Sequence, residues 1–170
     1  WSVSLPLSAP GSHSISWYAR DAAGNTTATN SVTFTYDSGA PALTISTPPN
    51  GGYTRDATLT VGGTATAPAG TTLTTVECRV DSASFTTATS GNDWAAWSWG
   101  PVTVSEGVRT LTAKATAANG KTAEKSVTVT VDRTRPTAAI SAPSSTSAGN
   151  VTLTISATDS LSGIETVRIL

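Results

Sequence analysis

The chain repeats itself at long range. Ser31-Val-Thr-Phe-Thr-Tyr-Asp37, followed by Ser-Gly-Ala-Pro41, returns as Ser126-Val-Thr-Val-Thr-Val-Asp132, followed by Arg-Thr-Arg-Pro136. The two aspartates and the two prolines each stand about 95 residues apart, and that distance is the period of an internal repeat. A period of this length, built on alternating strands with an Asp-x-x-x-Pro junction, implies small whole β-domains strung in series. The expectation is that the chain, a segment of something longer, opens inside one domain and closes inside another.

Around these landmarks apolar and hydroxyl residues alternate with period two. The pattern runs through Ile15-Ser-Trp-Tyr-Ala19, Val32-Thr-Phe-Thr-Tyr36, Leu59-Thr-Val61, Leu111-Thr-Ala-Lys-Ala115 and Val151-Thr-Leu-Thr-Ile155. Clusters of Gly, Pro, Asn and Asp interrupt it at roughly eight-to-twelve-residue spacing, and helix signals are missing. This predicts an all-β chain of antiparallel sandwiches. Residues 38–132 read as a complete domain with strands at 42–46, 57–62, 74–80, a short one within 84–88, 97–104, 109–117 and 123–131. Residues 1–37 match its back half, with Trp1 on Trp97, Gly11 on Gly107, Ile15 on Leu111 and Val32 on Val127. Residues 133–170 match its front half, with Pro136 on Pro41, Leu153 on Leu59 and Ile164 on Leu73. Placed tail to head, the halves nearly complete one more domain, short of the counterpart of residues 81–96. Two explanations stand open: a chain cut from a longer array, or one chain's tail completing the next chain's head through open strand edges.

Composition points outward from the cytoplasm. Charged residues make up only 12% of the chain and Met is absent. A solvent face of Thr and Ser suits strands and offers few Lys or Arg sites to proteases, which fits an extracellular or cell-surface location. A net charge of −1 leaves no basic footprint for nucleic acid or anionic lipid, and no apolar run is long enough for membrane insertion as a helix. The single Cys78 makes no internal disulfide. Its alternation in Val76-Glu-Cys-Arg-Val80 places it on a core face.

The terminal pieces resemble a known family. Trp17-Tyr-Ala-Arg-Asp-Ala-Ala-Gly-Asn-Thr26 followed by Val32-Thr-Phe-Thr-Tyr-Asp37 is similar to the closing strands of bacterial Ig-like and hyalin-repeat-like modules of secreted and surface proteins. Ala157-Thr-Asp-Ser-Leu-Ser-Gly-Ile164 with Val167-Arg-Ile169 resembles their opening half, and Val131-Asp-Arg-Thr-Arg-Pro136 their interdomain linker. The central piece departs from the pattern, with Ala117-Ala-Asn-Gly-Lys121 where Asp21-Ala-Ala-Gly-Asn25 stands in the first. The resemblance implies tandem Ig-like β-sandwich domains, one complete and two partial. Such modules serve as stalks, adhesin repeats, filaments or spacers, and their partners are neighbouring Ig-like domains or other copies of the chain.

In an Ig-like topology the loop after the second strand, the loop between the last two strands and the incoming linker share a pole. Those places carry Asp159, Asp21 with Asn25, and Asp132. Converging carboxylate and amide oxygens are what Ca²⁺ takes, and the resemblance implies calcium at such junctions. The expected clamp draws Asp132 and Asp159 from this chain and an equivalent of Asp21 from a following half. The competing reading is turn chemistry, in which Asp and Asn cap their own backbone.

Aromatics supply a second candidate. Asp93-Trp-Ala-Ala-Trp-Ser-Trp99 gathers Trp94, Trp97 and Trp99, which beside a carboxylate suit stacking on a polysaccharide, or else plug the core as a framework position shared with Trp1. Enzymatic chemistry finds no support. His13, the only histidine, reads as a solvated turn residue, and no zinc spacing, phosphate loop or nucleophile elbow is present. Lys114 points outward between Ala113 and Ala115, against a buried Lys–Asn crosslink, while Asn25-Thr-Thr27 and Asn150-Val-Thr152 fit the N-glycosylation acceptor pattern.

Overall fold

The computed structural model describes residues 1–170 except 8, 37, 38, 146, 148 and 170. Asp37 of the repeat motif, and the expected boundary between 37 and 38, therefore lie outside the described residues. Among the described residues the elements are all strands, thirteen in chain order. Nine of them, from β3 (Ala42–Thr47) to β11 (Thr122–Val131), form two sheets. One sheet has β3 beside β5 (Thr58–Thr66), then β9 (Ala96–Thr103), then β8 (Thr89–Gly91). The other runs β4 (Gly52–Thr54), β11, β10 (Gly107–Ala117), β6 (Leu73–Val80), β7 (Thr86–Thr87). Neighbours are antiparallel except for the parallel pair β4 and β11. This is the mainly antiparallel β-sandwich that the alternation predicted.

Period two becomes a core directly. Leu59 and Val61 of β5, Val76 and Cys78 of β6, Leu111, Ala113 and Ala115 of β10, and Val127, Val129 and Val131 of β11 all turn inward and are buried. The intervening threonines face water or pair across strands, as Thr44 Oγ1 does with Thr64 Oγ1 at 2.7 Å. Trp97 is the largest buried side chain, 3% exposed and part of the same cluster as the fully buried Ala113 and Ala115. Bulk on one sheet against small residues on the other is how two pleated faces interdigitate at native density. Gly63, the register partner of Trp97, completes the seat. A Cβ there would lie 2.8 Å from Trp97 Cζ2 and 2.0 Å from the Thr44 carbonyl oxygen.

Two parts of the sandwich differ from the expectation. The short strand expected within 84–88 is β7, which pairs with β6, but a further strand, β8, follows it and pairs with β9, and the chain crosses between sheets at buried Ala88, whose N–H bonds Val76 O at 2.8 Å. The short strand β4 went unforeseen. It is held by main-chain pairing to Val129–Val131, and Asn50 Oδ1 beside it accepts the Thr128 N–H at 2.9 Å.

Outside the sandwich stand two hairpins, β1 (Gly11–Trp17) with β2 (Asn30–Tyr36), and β12 (Thr137–Ser141) with β13 (Thr154–Thr158). The first copies the β10–β11 hairpin in register: Ile15 opposes Val32 as Leu111 opposes Val127, and Gly11 opposes Tyr36 as Gly107 opposes Val131. Burial separates the copies, since Val127 is in the core while Val32 is 50% exposed. His13 is in strand β1 and not in a turn. Its ring stacks on Phe34 at 5.8 Å, and Nε2 lies 2.8 Å from Ala9 O.

The Gly63–Trp97 seat generates a stability prediction. Gly63→Ala drives a methyl into backbone that cannot retreat, and Trp97→Ala empties the core, a change that costs about 3–5 kcal/mol in other proteins. Thermal denaturation followed by near-ultraviolet circular dichroism should show both variants melting well below the parent, while Gly149→Ala, with open space around it, should not.

Candidate functional site

The site is the exit of the sandwich, where β11 ends and the linker begins. Asp132 continues the parallel ladder, its N–H donating to Thr54 O at 2.8 Å. Its side chain, only 9% exposed, divides between two directions. Oδ1 accepts the Thr134 N–H at 3.0 Å inside the linker, and Oδ2 accepts the Ser162 N–H at 2.9 Å from the turn after β13. The linker is also fastened backwards. Arg133 donates to the carbonyls of Val104 and Asp56, and the Thr134 hydroxyl bonds the Glu106 carboxylate.

Asp159 meets Asp132 through a shared donor. Its Oδ1 accepts the N–H groups of Leu161 at 3.1 Å, Ser162 at 2.9 Å and Gly163 at 3.0 Å, with the Ser162 hydroxyl at 3.2 Å. Three successive amides converging on one oxygen form an Asx-type nest. Burial pushes the Asp159 carboxyl upward, but those amides outweigh it and hold the group below its ordinary value. Its Oδ2 is buried without a hydrogen-bond partner among the described residues.

Asp21 and Asn25 belong to a different place, the turn between β1 and β2. Asp21 Oδ1 accepts the Asn25 N–H and Oδ2 the Asn25 side-chain amide, both at 2.8 Å. The Asn25 amide, and behind it the local N–H groups, lower the Asp21 carboxyl. The corresponding turn of the sandwich has the same backbone bonds. Asp21 N–H to Asn25 O and Ala117 N–H to Lys121 O both measure 2.9 Å, with Gly24 and Gly120 at positive φ. Here turn chemistry accounts for Asp21 and Asn25. Among the described residues no three His, Cys, Asp or Glu side chains gather as metal ligands. A calcium ion, wanting about six to eight oxygens, would find one unpartnered carboxylate oxygen and would compete with amides for Asp132.

The tryptophans separate. Trp97 is core, so it cannot stack on a ligand and that part of the expectation fails on burial alone. Trp99 is partly buried and its Nε1–H bonds Thr86 Oγ1 at 2.7 Å. Trp94 is partly buried too, in a turn where Asn92, Asp93 and Trp94 have φ of +50°, +52° and +70°. A non-glycine residue in this region costs on the order of 1–3 kcal/mol. Cys78 is inert: burial first, then the Glu77 charge, pushes its thiol up to about 12. Lys114 pairs with Glu77 at 3.0 Å and lies 4.4 Å from the Phe85 ring centroid.

Sequence reasoning missed Arg133, Thr134, Glu106 and Ser162. The signal was present in Asp132-x-Thr134 and in Asp159-Ser-Leu-Ser162-Gly163, both Asx-turn patterns, but the joint between them spans thirty residues.

The chain matches no protein-family model and no curated protein. Solved structures similar to it include a tetra-tandem repeat in the extending region of a large adhesion protein, at 23% identity over 88% of this chain and 46% of that one, TM-score 0.43. Another is an engineered protein, at 23% identity over 54% of this chain and 20% of that one, TM-score 0.43. A third is a double mutant of the Cellulomonas fimi endo-β-1,4-mannanase, at 23% identity over 52% of this chain and 18% of that one, TM-score 0.38. The chain spans less than half the length of each.

Three carboxylates set an acid limit. Asp21, Asp81, bonded first by the Thr110 N–H, and Asp159 all sit below the usual value of 3.8. A depressed folded value stabilises the fold above the unfolded pKa, and that contribution is lost as pH falls through the folded one. Melting temperature should therefore be level from about pH 7 to 5 and fall below about pH 4. Asp81→Asn should flatten part of that fall, and an unchanged acid limb in this variant would count against the assignment.

Proposed function

We propose that the chain is a structural segment of an extracellular or cell-surface stalk, adhesin or filament, in which Ig-like sandwiches follow one another as stiff spacers. The observation that carries this is the division of the buried Asp132 carboxylate between its own linker and the next hairpin. A joint fastened on both sides transmits orientation from module to module. A flexible tether would instead leave its linker amides to water. Pro136 inside the linker narrows its freedom further.

The natural partners are neighbouring modules of the same kind or other copies of the chain. Exposed apolar residues on the hairpins, such as Val32, Ile140 and Val151, offer them a surface. Nucleic acid and membrane insertion lie outside the proposal: the charge is near neutral, and among the described residues no helix is long and apolar enough to cross a membrane. No catalytic role is part of it.

Asp132→Ala tests the joint. Removing a buried acceptor of two amides costs roughly 2 kcal/mol or more locally. Small-angle scattering should show a broader spread of maximum dimensions while the sandwich melts near its normal temperature. An unchanged scattering profile would refute a stiff joint. Calcium through Asp132 and Asp159 is a separate proposal, and calorimetric titration of the chain decides it: saturable heat supports a clamp and a flat trace ends it.

A further inference from the structure

We propose a binding site for a neutral saccharide ring at the opposite pole of the sandwich, between the β8–β9 turn and the β5–β6 loop. This goes beyond the spacer reading and does not depend on it. A cavity of about 330 Å³ lies there, lined by Ala67, Thr71, Thr72, Leu73, Asp93 and Trp94, at the small end of the range that holds small molecules.

The turn is built at a cost that turning alone does not require. Elsewhere the chain meets positive φ with glycine, as at Gly24, Gly51 and Gly120, or with an aspartate at Asp81, but here it places an indole there. Asn and Asp tolerate that region and tryptophan does not. The strained form is locked from three sides. Trp94 O accepts the Ala65 N–H at 2.9 Å, Trp94 N–H donates to Ser90 Oγ at 3.2 Å, and Ala95 N–H closes on Asn92 O at 3.0 Å. Part of the indole packs on the core and the rest forms a wall of the cavity.

The polar groups around that wall are idle. Asp21, Asp56, Asp81, Asp132 and Asp159 each accept a hydrogen bond that fixes a turn, strand end or linker. Asp93 is the exception among the described aspartates, and the Thr71 and Thr72 hydroxyls likewise bond no other described protein group. An aromatic face with one carboxylate and two hydroxyls, and no basic residue in the lining, suits the C–H face and hydroxyl edge of a neutral sugar. An anionic ligand would meet Asp93 with nothing to offset it.

The intact 170-residue chain should be titrated with cellohexaose, mannohexaose, xylohexaose and chitohexaose, followed by tryptophan fluorescence and calorimetry. At least one should bind saturably. Asp93→Asn, which keeps the turn, and Trp94→Phe, which keeps most of the packing, should each weaken it about tenfold or more. Trp17→Phe, on the exposed hairpin, should leave it unchanged. Silence from all four sugars with a folded protein, binding indifferent to both variants, or binding of choline in place of any sugar would overturn the proposal. None of these outcomes would touch the spacer reading, which is judged at Asp132.

Discussion

An amide that leaves a strand ladder must find an acceptor, and in this chain that acceptor is repeatedly an aspartate. Asp21 closes the β1–β2 turn, Asp81 takes the Thr110 N–H, Asp159 gathers three amides and Asp132 serves two segments at once. Charged residues make up only 12% of the sequence, and five of the described aspartates, Asp21, Asp56, Asp81, Asp132 and Asp159, accept local hydrogen bonds. Four of these, Asp21, Asp81, Asp132 and Asp159, stand where a backbone amide needs an acceptor. The sandwich cores follow from alternation, but the connections between strands, and between one sandwich and the next piece, follow from these few oxygens.

The two poles of the central sandwich use this resource differently. At the exit, Asp132, Arg133 and Thr134 tie the linker to both neighbours. At the entrance the contacts are of another kind. A Cβ on Gly70 would meet Thr35 Cγ2 at 2.5 Å, so the β5–β6 loop lies directly against the first hairpin, and the Asn119 side chain reaches Gly39 O at 3.2 Å. Small residues and an amide do there what a carboxylate does at the other end.

Most of the fold was legible because it rests on period two. The strands read from Leu59-Thr-Val61, Val76-Glu-Cys-Arg-Val80 and Leu111-Thr-Ala-Lys-Ala115 appear at their expected places. What was not legible has no period. Strand β4 is three residues long and rests on pairing with β11, and the break between β7 and β8 depends on Ala88 crossing the core. His13 looked like a turn residue because Gly11 and two serines surround it, yet its ring pairs across the hairpin with Phe34. Of the candidate site, the aspartates were found but their roles were not, because a carboxylate's use is set by which amides the fold brings near. The tryptophan run misled in the same way: spacing put Trp97 and Trp99 on one face without saying that the face is the core.

The parallel pairing of β4 with β11 has a mechanical meaning. The chain enters the sandwich near the turn that contains Asn119 and leaves beside Thr54, where both strands end. Tension along the chain would draw the two strands past each other lengthwise, so their hydrogen bonds would share the load and fail together. An antiparallel hairpin pulled at its open end surrenders one bond at a time. A strand of only three residues would thus meet an end-to-end pull in shear and not by unzipping.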